Sequence, residues 1–197
     1  MAYAVGESRR ARGLKNILSS ESLSWQLATL LLGVGFTVVL LHAEFRLPLR
    51  LPGRHGLEWM AMLIMVRSAS KYRWAASVSS WGAAAFSLLP LWGFGDPLIP
   101  LTYFIPGVLI DVGFNASGRW QGKLWFLACL GAIAHATKPL VQFVISSTSH
   151  WVFNSLLYGL AYPVAMHLMF RFVGAFIGAG LVLRSKKADP HSKMGNP

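Results

Sequence analysis

Glu58, Asp111, His135, Lys138, Gln142, His167 and Arg171 stand inside or at the edges of long apolar runs. In a bilayer a central charge costs about 3 kcal/mol or more, so such groups point inward, find partners and mark function. His135, Lys138 and Gln142 follow i, i+3, i+7 spacing and share one helix face. Pro139 follows Lys138 and frees a carbonyl one turn earlier. Lys138 is therefore the leading ligand contact, an ammonium donor to a polar or anionic group. The alternative is a structural pair with Glu58, and a ligand bridging the two would satisfy both readings. His167 and Arg171, at i, i+4, are expected to form a buried structural pair with Asp111.

Polar and aromatic side chains also gather toward one side of the apolar runs, among them Trp59, Trp92, Tyr103, Asn154 and Tyr158. An aromatic belt at the interface accounts for most of them. A pocket would use a few, because flat ligands stack on rings and need a handful of placed polar groups. The expected substrate-binding set is Arg54, Glu58, Trp92, Tyr103, Lys138, Gln142, Asn154 and Tyr158.

Catalytic patterns are not found. "NASG" (115–118) with His150-xxx-Asn154 has the pieces of an intramembrane serine protease, but in reversed order and with the serine in a loop. No phosphate-binding glycine loop, HExxH or paired-carboxylate motif appears. The single cysteine, Cys129, rules out an internal disulfide framework and a cysteine-based zinc site. The expectation is a protein that is not an enzyme, with no catalytic residues, metal or cofactor.

The elements that position these groups follow from composition. The 197 residues are 54% hydrophobic and 13% charged, against about a quarter charged in an ordinary soluble domain. The net charge of +11 sits between apolar runs and at both ends, which is the pattern of topology and anionic lipid, not of nucleic acid. Six spans are expected, at 24–43, 56–69, 74–92, 97–115, 122–146 and 153–183, the second being short. Basic tails at 1–23 and 185–197 flank a transmembrane domain at 24–184.

With six spans, one side holds Arg9, Arg10, Arg12, Lys15, Arg67, Lys71, Arg73, Arg119, Lys123, Arg184, Lys186, Lys187 and Lys193. The other holds Arg46, Arg50 and Arg54. The imbalance makes both termini cytoplasmic and the class an all-α polytopic protein of a bacterial inner or plasma membrane. The three exceptional arginines lie at 41–60, "LHAEFRLPLRLPGRHGLEWM", with Pro48, Pro52 and Gly53. That stretch reads either as a solvated loop or as an ordered lid meeting an anionic ligand or headgroup. Thr29-xxx-Gly33-xxx-Thr37 and Gly174-xxx-Gly178 let helices approach closely.

"LPGRHGLEWMAML" (51–63), "WGFGDPLIPLTYFIPGVLIDV" (92–112) and "HLMFRFVGAFIGAGLVLRSKK" (167–187) together resemble the substrate-binding S components of energy-coupling factor transporters. The resemblance covers most of residues 24–187. It implies a subunit that captures a vitamin-like micronutrient or precursor outside. Delivery would follow by toppling against a transmembrane coupling subunit driven by ATPase subunits. Residues 52–55 would cap the pocket, and Tyr103, Lys138, Gln142, Asn154 and Tyr158 would face the ligand. The family's docking motif, AxxxA on the first helix, reads here Thr29-xxx-Gly33 with Ala28 beside it, a departure that bears on which module it meets. Two other readings stand beside this one: a non-catalytic membrane scaffold, and a membrane enzyme acting on lipids.

Overall fold

The computed structural model describes residues 22–44, 56–92, 98–149, 153, 156–157 and 159–188. Among them the chain is all-helical, with α1 Trp25–Glu44, α2 Gly56–Ala69, α3 Ala75–Ser87, α4 Ile99–Ala116, α5 Leu124–Ser149 and α6 Ala161–Ala188. Short 3₁₀ turns cover Pro90–Trp92 and Gly118–Trp120. Helices α1, α4, α5 and α6 are long and apolar enough to cross a membrane. Leu30, Trp81, Ile133, Val144 and Leu181 face outward and exposed, as lipid contact requires and water would not tolerate over so wide an area.

Helix directions follow from which residues meet. Trp59 packs on Tyr103, and Arg67 reaches Asp111. Both pairs are separated by the same sequence offset, so α2 and α4 run parallel and in register. A Cβ at Gly174 or Gly178 would lie 2.2 Å from the carbonyl oxygens of Leu57 and Ala61, so α6 runs parallel to α2 as well. The Gly174-xxx-Gly178 strip thus works as a close-approach face. Between α3 and α4, a Cβ at Gly107 would sit 2.0 Å from Ser80 Oγ and 2.7 Å from the Ala76 carbonyl. The small-residue sequence of α3, AASVSSWGAAAFS, exists to permit such contacts.

The short α2 is the centre of the bundle and touches each of the other five helices. Its 14 residues span only about 21 Å. Half its length is buried, and Trp59, Met60, Leu63 and Ile64 are at most 1% exposed. Neighbouring helices therefore cover much of it, although Met65, Val66 and Ala69 line an open apolar groove. A short apolar helix covered in this way needs no thinning of a bilayer around it.

Two expected spans are shorter than their apolar runs. The third ends at Ser87 instead of 92, since Pro90 disfavours helix at Leu89 and the chain tightens into a 3₁₀ turn. The sixth begins at Ala161 instead of 153, after Gly159 turns the chain with φ +84°. Pro163 lies in its first turn, where the missing N–H has no helical acceptor to serve.

Candidate functional site

Two polar clusters occupy opposite ends of the bundle. At the end carrying Glu44, Gly56 and Ile99, a cavity of about 20 Å³ is lined by His42, Trp59, Ile99, Thr102, Tyr103, His135, Lys138 and Arg171. Five helices contribute to it. The core face of α6 continues outward from Gly178 and Gly174 to Arg171, and so aims the guanidinium at the start of α2. There it lies directly on Gly56, where a Cβ would fall 0.6 Å from Nη1. No other residue type at 56 leaves room for it.

Arg171 Nη2 donates to His135 Nε2 at 2.8 Å. A guanidinium only donates, so Nε2 offers its lone pair and His135 carries its proton on Nδ1. His135 also stacks on His167, with ring centroids 5.9 Å apart, and His167 Nδ1 donates to the Pro163 carbonyl at 2.7 Å. Tyr103 is hydrogen-bonded to His42 and meets Trp59 edge to face, at 5.4 Å and 83°. Four atoms of this cluster are buried without a hydrogen-bond partner: Arg171 Nε, Arg171 Nη1, His135 Nδ1 and Trp59 Nε1. All four are donors.

At the other end Arg67 Nε lies 3.1 Å from Asp111 Oδ1. Its Nη2 donates to Asn115 Oδ1 at 2.9 Å, and its Nη1 to the carbonyls of Ser70 and Tyr72. Asp111 also accepts from Ser77 Oγ at 2.7 Å and from the backbone N–H groups of Ser77 and Ala76. Those N–H groups open α3, so the carboxylate caps that helix and meets its positive end.

The expected joining of Asp111 with His167 and Arg171 is therefore corrected. All three are buried, but Asp111 pairs with Arg67 and Arg171 with His135. The in-register α2–α4 pairing sets Asp111 level with Arg67, whereas Arg171 is level with Gly56, about three turns away. Arg67 follows Trp59 by eight residues, as Asp111 follows Tyr103. That equal spacing was the available signal. It was obscured because Arg67 sits among Lys71 and Arg73 and reads as an interfacial charge.

Of the expected substrate-binding residues, Tyr103 and Lys138 line the cavity. Gln142 is buried one turn further along α5, so the shared face of His135, Lys138 and Gln142 does point inward. Glu58 is half-buried in the first turn of α2 and forms no salt bridge among the described residues. The Glu58–Lys138 pair weighed as the alternative is not among the salt bridges of the described residues. Trp92 lies elsewhere, with its Nε1 donating to the Phe86 carbonyl at 2.6 Å and its ring 6.1 Å from that of Phe36. Arg54, Asn154, Tyr158 and the expected lid lie outside the described residues. His42, Trp59 and Thr102 were not singled out as ligand contacts, and only folding brings them to this point.

On α1, Thr29 and Gly33 are exposed and Ala28 half-buried, and a Cβ at Gly33 would meet nothing within 4 Å. Beside this strip runs an apolar groove of about 590 Å³, lined by Leu27, Leu30 and Leu31 of α1, by Met65, Val66 and Ala69 of α2 with Ser70 and Lys71 after it, and by Val182. Among the described residues no cluster of three or more His, Cys, Asp or Glu could hold a metal ion.

No family model, curated protein or solved structure matches this chain.

Proposed function

We propose that the chain is a membrane-embedded binding subunit for uptake of a small, vitamin-like micronutrient, which it delivers together with an ATP-driven coupling module. The observation that carries this reading is the set of buried donors around one cavity at a single end of the bundle. Polar groups buried in a membrane domain are costly and are kept where they meet a solute. The cavity lies at the end where α1 stops and α2 starts. A vitamin-sized ligand needs about 300 Å³ or more, against about 20 Å³ here. Binding would therefore part the helices at this end. The open Thr29–Gly33 strip on α1 is the proposed seat of the coupling subunit.

The groove beside α1 favours a second reading, a non-catalytic scaffold that seats a partner helix. Native mass spectrometry of gently purified protein separates the two. The binding reading expects a bound small molecule, lost in Lys138→Ala at unchanged folding. A scaffold would carry only lipid and show no difference in that variant.

A further inference from the structure

The donors around the cavity share a property that a general polar pocket would lack. Arg171 Nε and Nη1 can only donate, and so can Trp59 Nε1. His135 Nδ1 joins them, because its other nitrogen is taken as acceptor by Arg171 Nη2 at 2.8 Å. Arg171, His135 and Trp59 are 4%, 3% and 1% exposed, so water does not reach them from the surface. Lys138 adds an ammonium at the rim, and no carboxylate is among the described residues lining the cavity. Buried donors left unsatisfied are expensive. Glu58 stands near enough to act on Arg171 electrostatically, but it neither lines the cavity nor forms a salt bridge with the guanidinium, which leaves a direct counter-charge to be supplied. Among the described residues the one carboxylate in a salt bridge, Asp111, is committed to Arg67 at the opposite end.

We propose that this cavity is an anion hole that takes the negatively charged end of the solute, so that the class transported is small organic monoanions, carboxylates above all. The choice of solute rests on the binding reading above; the anion hole itself does not. The cavity, at about 20 Å³, exceeds the roughly 10–15 Å³ that holds a single water. It therefore accommodates one oxygen of an oxyanion or one halide, and the rest of an organic ligand must extend beyond it. A cation would meet Arg171 and Lys138, and the carbonyl oxygen of a neutral amide would bring no counter-charge to the guanidinium.

The test uses the full chain in detergent, free of chloride, with acetate, its neutral isostere acetamide, and sodium chloride as probes. Thermal unfolding reads binding, because a ligand held by the folded state raises the midpoint with concentration. Acetate is expected to stabilise and acetamide not. Trp59→Phe keeps the ring and removes one N–H, and should weaken acetate about tenfold, the usual effect of one hydrogen bond to a charge. Arg171→Gln should abolish the acetate effect; should that variant fail to fold, Trp59→Phe decides alone. Chloride stabilising as strongly as acetate would keep the anion hole and overturn the organic occupant. Equal effects of acetate and acetamide, or an unchanged response in Trp59→Phe, would overturn the anion hole. Radiolabelled uptake by cells carrying a coupling module judges the function separately. Solute uptake without anion preference sinks this inference alone, and anion binding without any uptake sinks the transport reading alone.

Discussion

Gly56 and Arg171 compete for one small volume, since a methyl group at 56 would land 0.6 Å from Nη1. A guanidinium at the tip of a long side chain can move aside, so Gly56→Ala should cost only about 1 kcal/mol of stability, the low end of overpacking. Arg171-dependent binding should nevertheless disappear. Gly178→Ala is the contrasting case, because its Cβ would meet the backbone oxygen of Ala61 at 2.2 Å. Neither helix can yield locally there, and a loss of about 3 kcal/mol is expected. Comparing the two unfolding midpoints in detergent checks this, and equal losses would mean that the guanidinium is not free to move. At the other end, Asp111→Ala strands Arg67 without its counter-charge and should cost about 3–5 kcal/mol. Arg67→Met with Asp111→Leu removes both charges and should recover much of that loss, measured the same way. The sequence marks Asp111 as a group needing a partner, but its partner depends on helix register, which local spacing does not reveal.

Among the elements, α2 and α1 differ in a way that composition conceals. Both are apolar, yet α2 buries half its residues and touches all five other helices while α1 buries only Leu31, Gly35, Val38 and Val39. Lipid and protein interior are equally greasy, so an apolar sequence alone does not tell which of the two surrounds a helix. The short second run consequently reads as the weakest span although it is the pillar of the bundle. Helix ends were legible only in part, because Pro90 and Gly159 act inside runs whose apolar character continues past them. Small-residue strips were legible as surfaces of close approach, but not as internal or open. Gly178 serves the fold, and Gly33 has nothing against it. Gly33→Leu should accordingly leave the unfolding midpoint within about 0.5 kcal/mol of the parent while lowering co-purification with a coupling subunit and uptake. Normal uptake in that variant would remove this face of α1 from docking.

At the scale of the whole molecule, the class was plain from 54% hydrophobic and 13% charged residues, and an all-helical chain with four membrane-length helices agrees with it. Tyr103, His135 and Arg171 read from the sequence as inward-facing groups, but their gathering with His42 and Trp59 from five different helices was not legible, because it depends on the register between helices. The enclosure of α2 also bears on how the protein is made. Its chief neighbour is α6, which supports it along its whole length, from Arg171 over Gly56 to Lys186 donating to the Ser68 carbonyl at 2.7 Å. Yet of the described helices α6 is made last. A nascent chain stopped before Ala161 should therefore leave its second segment poorly anchored and open to quality-control proteases, and pulse-chase of such truncations should show rapid turnover that restoring residues 161–188 reverses.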